Sequence, residues 1–190
     1  MNHFHTFESF LLENLNERRD KDLYAIMRPV FDSTPEYVFK ELYYAHGGFF
    51  KTEFQNLLDS GMDEDDIEIE LEEWIDLTWK KSIITVNISD FTKETQNAMI
   101  LRQMGNSELS HVPGDAERTE IQRKLIGKYG EGKNEPVILL KKKNGYELME
   151  GWHRTMSVLC IGSDGTDNYK KWDKVKLNAW IGDGPGVNDI

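Results

Sequence analysis

Cysteine is almost absent from this sequence, since Cys160 is the single one among 190 residues. A lone cysteine forms no internal disulfide and no cysteine-based metal cluster, so the chain fits a reducing compartment such as the cytoplasm. No apolar run approaches the ~20 residues that cross a bilayer. The N-terminus lacks the basic segment followed by an apolar one that marks a secretory signal. These absences predict a soluble protein without a membrane partner.

Basic residues are scarce in the first part of the chain, and the net charge is −11. Residues 1–80 hold 7 Lys and Arg against 19 Asp and Glu, whereas residues 81–190 hold 16 against 15. The acidic part would repel the phosphates of bare nucleic acid, which is therefore an unfavoured partner. It could instead dock on a basic protein or shield the second part, or it could be a solvated surface.

Helical periodicity dominates residues 1–80. Apolar residues recur at helical spacing from Phe4 to Leu15, and Thr34-Pro-Glu36 is a typical helix start with Thr34 as the N-cap. Asp63-Glu-Asp-Asp66 favours the start of another helix, which continues to Trp79, although a carboxylate metal cluster is an alternative. We interpret this region as an acidic bundle of four or five short helices.

Alternating apolar residues replace the helical period at residue 81, where we place the domain boundary. The first strand runs from Lys81 to Ser89, with Ile84, Val86 and Ile88 on one face. The pattern then predicts, in order, a helix over 92–104, a polar loop over 106–114, a helix from residue 115 with Ile121 facing the core, a hairpin, a further helix and a last strand over 174–181.

The hairpin and the helix after it form the centre of the second part. An apolar run from Pro136 to Leu140 is followed by Asn144-Gly145, a dipeptide typical of a two-residue type I′ turn. The second strand then alternates until Gly151. From Trp152, apolar residues at i, i+4, i+7 and i+8 predict a helix.

Glu150-Gly-Trp-His-Arg154 lies at the predicted junction of this strand and helix. The first turn of a helix presents N–H groups that have no partner within the helix, and they favour a negative charge. Gly151 lets a ligand approach the backbone, Arg154 can form a two-pronged contact with phosphate, and Glu150 adds a carboxylate. The segment therefore predicts a phosphate pocket. The alternative is a helix start with ordinary polar residues and Glu150 as its cap.

This segment resembles the acidic-Gly-x-His-Arg version of the motif in the ParB/sulfiredoxin superfamily, and the resemblance covers roughly residues 81–182. It implies an α+β fold with a small mixed sheet, here preceded by the acidic helical region. In that family the motif binds nucleotide phosphates, which implies the same role for Gly151, His153, Arg154 and Thr155. The family helix that matches the one from residue 115 often supplies basic phosphate contacts. Arg118 fits that role, and an exposed basic residue without a ligand is the alternative.

Departures from the family narrow its implications. Trp152 stands where sulfiredoxins have their reactive cysteine, which argues against sulfiredoxin activity. The chain ends shortly after the last strand, without the helix-turn-helix domain of partition proteins, so centromere binding is not expected. Relatives with an acid before the glycine include small-molecule kinases and proteins described as ATPases or nucleases. The resemblance thus implies that Glu150 and His153 are catalytic and that Glu150 is a metal ligand.

The sequence as a whole predicts a nucleotide-binding protein that hydrolyses ATP or CTP with Mg²⁺, or transfers phosphate to a small hydroxyl acceptor. No Gly-x-x-x-x-Gly-Lys loop is present, so the motif must carry the phosphate binding. Two alternatives stay open: a non-catalytic, nucleotide-gated module that docks a protein on its acidic helices, and a ParB-like DNA nuclease. The Phe-rich opening with Leu11-Leu-Glu13 resembles peptides of tailed-phage virion proteins, which implies a phage protein in the host cytoplasm. The alternative is a plain helix that docks on the core.

Overall fold

The chain divides into two units, Met1–Ile75 and Asp76–Ile190. The computed structural model describes residues 24–25, 27–44, 56, 72–103, 118–119, 121, 124, 135–159, 174–188 and 190. Several predicted features lie outside these residues, namely the N-terminal helix predicted over about 6–18 with its Leu11-Leu-Glu13 segment, the acidic Asp63–Asp66 segment, the loop over 106–114 and Cys160.

The first unit contains helix α1 (Glu36–Tyr44), which follows helical residues at 24–25 and 27–30. Its buried side chains belong to a core shared with the preceding segment, made of Met27, Phe31, Val38, Phe39, Leu42 and Tyr43. The predicted N-cap was wrong: the Thr34 Oγ1 atom is buried and has no hydrogen-bond partner among the described residues. The Pro35 carbonyl instead accepts the hydrogen bond from the Phe39 N–H at 2.9 Å.

A polar cluster ties the first turn of α1 to the segment before it. The Glu36 carboxylate accepts hydrogen bonds from the Tyr24 hydroxyl at 2.7 Å and from Arg28 Nε at 3.0 Å, and it pairs with Lys40 Nζ at 2.8 Å. Arg28 also lies 5.3 Å from the centre of the Phe39 ring. Hydrogen bonds from Lys40, Tyr24 and Arg28 lower the pKa of Glu36 from 4.5 to about 2.

The depressed pKa of Glu36 predicts an acid-sensitive contribution to stability. Because the folded state favours the ionised carboxylate, this contribution is present above pH 4.5 and is lost as the pH falls toward 2. We expect Glu36→Gln to lower the free energy of unfolding at neutral pH, and the difference from wild type to shrink across that window. Urea denaturation at several pH values measures this. A difference that does not change with pH would contradict it.

The first unit ends with the short helix α2 (Glu72–Ile75). The first strand of the second unit is β1 (Thr78–Val86). The predicted helix is therefore confirmed over the described residues 72–75 but ends before Trp79, and the predicted strand was placed three residues too late at both ends. Asn87 ends β1 because it caps a 3₁₀ turn over Ile88–Asp90: its side chain accepts from the Ser89 N–H at 2.9 Å.

Helix α3 (Lys93–Gln103) confirms the predicted helix to within one residue at each end. Thr92 precedes it, and its Oγ1 accepts a hydrogen bond from the Thr95 N–H at 3.3 Å. The Thr95 Oγ1 in turn accepts from the Leu148 N–H at 3.2 Å. These two buried threonines therefore fix the start of α3 against the hairpin.

Three further strands follow: β2 (Val137–Lys142), β3 (Gly145–Glu150) and β4 (Val175–Asp183). Together with β1 they form a four-stranded sheet in the order β1-β4-β2-β3. The β4 strand is antiparallel to β1 and parallel to β2, whereas β2 and β3 form the predicted antiparallel hairpin. This mixed, open sheet with its helices confirms the α+β class.

The hairpin turn lies one residue earlier than predicted. Lys142 pairs with Gly145, so Lys143 and Asn144 form the two-residue loop. Gly145 has a φ of 132°, and a Cβ there would lie 2.8 Å from the Asp90 carbonyl oxygen. Glycine is thus required because the turn packs closely on the segment before α3.

The core of the second unit lies on one face of the sheet, where α3 and helix α4 (Trp152–Val158) contribute Met99 and Met156. Val86, Leu139 and Leu177 are buried there, while Ile83 on the opposite face of β1 is 60% exposed. Ile121 was predicted to face the core but is 52% exposed. None of the described helices combines the length and apolar character that a bilayer span requires.

Candidate functional site

The junction of β3 and α4 places Glu150-Gly-Trp-His-Arg154 at one end of the sheet. Gly151 is the N-cap of α4, in the left-handed conformation with φ 94° and ψ 30°. A Cβ on Gly151 would lie 2.5 Å from Val137 Cγ1. Left-handed backbone and close packing both require glycine here. The β2–β3 register shifts between Ile138 and Leu139, and Ile138 consequently pairs with Glu150, the residue before Gly151.

Arg154 is held between two carboxylates. Its Nη1 donates to Glu135 Oε2 at 2.9 Å, and its Nη2 lies 3.9 Å from Glu150 Oε1. The side chains of Arg154 and Glu150 are 13% and 18% exposed, whereas that of Glu135 is 77% exposed. Arg154 Nε is buried and has no hydrogen-bond partner among the described residues. One end of the guanidinium thus pairs with the exposed Glu135 carboxylate, and the other end lies near the largely buried Glu150 carboxylate.

The other predicted residues take different positions. His153 is half-buried, and its carbonyl accepts a hydrogen bond from Ser157 Oγ at 2.6 Å. Thr155 is fully buried, so its hydroxyl lies in the interior of the unit. Arg118 is exposed, and within the described residues no hydrogen bond or ion pair links it to the motif. Its neighbour Thr119 nevertheless contacts α4, because the Thr119 carbonyl accepts from Ser157 Oγ at 2.6 Å.

Two residues at this junction were missed by the sequence analysis. Glu135 precedes β2, and nothing in the local pattern indicates that it meets Arg154. Arg102, near the end of α3, places its guanidinium carbon 4.5 Å from the centre of the Trp152 ring. A cation at this distance from an indole face is attracted to the ring. The sequence places Trp152 directly after the glycine. Its partner Arg102 lies 50 residues earlier, and no sequence pattern indicates that the two side chains meet.

The donor set for a metal at this junction is small. Among the described residues, no group of three or more His, Cys, Asp or Glu side chains is arranged to hold an ion. Magnesium often takes one or two carboxylates and completes its coordination with substrate phosphates and water. Glu150 and Glu135 supply two carboxylates at this junction, and both pair with the Arg154 guanidinium.

Two open pockets lie elsewhere on the second unit. One, of about 450 Å³, is lined by Lys80, Lys141 and Tyr146 among others. The other, of about 470 Å³, includes Lys143 and Glu147 at the hairpin tip. Neither of these two pockets is lined by a residue of the Glu150–Arg154 motif.

The described geometry brings Glu150, Gly151 and Arg154 together, adds Glu135 and places Arg102 over Trp152. The chain was compared with protein-family models, curated proteins and solved structures, and none of them matches it. The assignment of a function therefore depends on the chemistry of this junction.

Proposed function

We propose that the protein binds a nucleotide through its phosphates at the β3–α4 junction, with Arg154 as the main ligand. The observation that carries this proposal is the largely buried Arg154 guanidinium, which pairs with the exposed Glu135 carboxylate at 2.9 Å. Burial of a guanidinium is costly unless an anion compensates it. Two oxygens of a tetrahedral phosphate can accept hydrogen bonds from a guanidinium as a carboxylate does, and phosphate carries more charge, so it can replace Glu135.

The backbone beside Arg154 supports the same ligand. The first hydrogen bond within α4 runs from the Thr155 N–H to the Gly151 carbonyl at 2.9 Å. The N–H groups before Thr155 have no carbonyl four residues earlier within the helix. Because α4 has only 7 residues, its dipole is weak, and Arg154 must supply most of the attraction. The resemblance of the motif to that of the ParB/sulfiredoxin superfamily agrees with this assignment.

The reaction that this arrangement fits is hydrolysis of ATP or CTP, or phosphate transfer to a small hydroxyl acceptor. The attacking oxygen bonds to the terminal phosphorus, the bond to the bridging oxygen breaks, and Glu150 orients the acceptor or takes its proton. His153, one residue before Arg154, would assist at the same phosphate. Mg²⁺ would be held by Glu150 and the phosphates, and would offset charge on the phosphate oxygens.

The proposal is tested by calorimetric titration of ATP and CTP, with Mg²⁺, into the wild-type protein and Arg154→Ala. A charged hydrogen-bonding partner contributes about 1.5–3 kcal/mol, so we expect binding to weaken at least about tenfold. Lys93→Ala is the matched control, because Lys93 is an exposed cation at the start of α3. Absence of binding by the wild type, or equal binding by Arg154→Ala, would overturn the proposal.

A non-catalytic, nucleotide-gated module is a second candidate. The observation in its favour is that Glu150, the candidate catalytic carboxylate, already pairs with Arg154, whose Nη2 lies 3.9 Å from Glu150 Oε1. Formation of nucleoside diphosphate, at saturating nucleotide and with small hydroxyl acceptors present, separates the two candidates. An enzyme should form the diphosphate, and Glu150→Gln should bind nucleotide without turnover. Saturable binding without any product would instead assign the binding function alone.

A further inference from the structure

A second cluster of cations lies at the opposite end of the sheet from Arg154. All four strands contribute to a pocket of about 450 Å³ whose lining includes Thr78, Lys80, Lys141, Tyr146, Ile181 and Asp183. Lys141 is four residues beyond Val137 along β2, which is roughly 13 Å at the rise of a strand. The pocket is thus separate from the Gly151 junction, and the register of the strands determines which side chains line it.

Strand pairing determines which side chains share this pocket. Lys80 is opposite Ile181 in the β1–β4 pair, and Lys141 is opposite Tyr146 in the hairpin. Because directly opposed residues project from the same face of a sheet, each lysine stands beside an apolar or aromatic side chain. Tyr146 is positioned from its other side by the Phe91 ring, with the ring centres 6.5 Å apart.

The charge balance of the pocket favours an anion. Lys141 Nζ pairs with Asp183 Oδ2 at 2.7 Å, and both side chains are about half exposed. Within the part of the chain that the structure describes, Lys80 makes no ion pair. The lining therefore holds two ammonium groups against one carboxylate, although the chain as a whole carries a net charge of −11. An exposed ion pair such as Lys141–Asp183 contributes little stability, so an incoming anion can replace Asp183 at low cost.

We propose that this pocket binds a small organic anion that combines a phosphate with a planar apolar ring. The phosphate lies between Lys80 and Lys141 and displaces Asp183 from the Lys141 ammonium group. The ring packs on Tyr146 and Ile181. The proposal is independent of the nucleotide site at Arg154, because no residue is shared between the two.

Phenyl phosphate is a suitable probe, titrated into the full chain while backbone amide shifts are followed by NMR. We expect saturable shifts at Tyr146, Lys141 and Ile181. Lys80→Gln and Lys141→Gln should each weaken binding about tenfold, as the loss of one charge-assisted hydrogen bond predicts. Asp183→Asn should tighten binding, because it removes the carboxylate that competes for Lys141.

A control variant separates this pocket from general surface charge, and the position of the shifts separates it from the junction. Lys93→Gln should bind phenyl phosphate as the wild type does. Phenol, which lacks the phosphate, should bind much more weakly. The proposal is overturned if the shifts occur at Trp152–Arg154 instead, if Lys80→Gln has no effect, or if Asp183→Asn fails to tighten binding.

Discussion

Replacement of Gly151 with alanine is expected to lower the free energy of unfolding of the second unit by about 3 kcal/mol. The left-handed backbone at φ 94° contributes roughly 1–2 kcal/mol of this loss in a residue with a Cβ. The remainder comes from overpacking, since the new methyl group would lie 2.5 Å from Val137 Cγ1. Urea denaturation followed by circular dichroism measures the change, and amide hydrogen exchange in β2 and β4 assigns it to this unit.

A second glycine and a double variant serve as controls. Gly184→Ala should cost less than about 1 kcal/mol, because its φ is not positive and its Cβ would come no closer than 3.3 Å to another atom. In the Val137→Ala background, Gly151→Ala should cost less than in wild type, since the contact with Cγ1 is gone. A cost below 1 kcal/mol for Gly151→Ala itself would show that the junction adapts easily.

Leu139→Ala is expected to lower the free energy of unfolding by about 3 kcal/mol, within the range of 2–5 kcal/mol for buried leucines. Leu139 lies on the inner strand β2, between β3 and β4, and its side chain is fully buried in the core beneath α3 and α4. The shortened side chain would leave a cavity that the paired strands on both sides cannot close. The denaturant midpoint of unfolding gives the measurement.

Ile83→Ala is the matched control for Leu139→Ala, because it also removes an aliphatic side chain from a strand. Ile83 lies on the edge strand β1 and is 60% exposed. We expect a change of less than about 1 kcal/mol, mainly from the lower strand propensity of alanine. Similar costs at the two positions would mean that the face of β1 bearing Ile83 is covered in solution.

Local patterns predicted much of the second unit. The helix at Lys93–Gln103, the hairpin strands and the glycine between β3 and α4 follow from periodicity and turn chemistry, which involve neighbours in sequence. The limits of β1 were wrong because its start depends on a distant strand. Trp79 fits the helical period that precedes it, but β4 continues to Asp183 and pairs with residues as early as Thr78.

The candidate site shows the same division. The sequence identified Glu150, Gly151 and Arg154 because they are adjacent, and their nucleotide role stays a prediction. It did not indicate Glu135 or Arg102, since each reaches the motif through the packing of another element. Thr155 was grouped with the ligands by its position in the motif, but the helical turn directs it into the core, where it is fully buried.

Composition and local patterns were sufficient to predict the α+β class, the acidic character of the first part and the strand-to-helix junction at Gly151. These properties depend on composition and on residues that are near neighbours along the chain. The fold itself selects the carboxylate that reaches Arg154 and places Lys80 and Lys141 in one pocket. Strand pairing and helix packing bring together residues from distant segments, and no local pattern encodes those contacts.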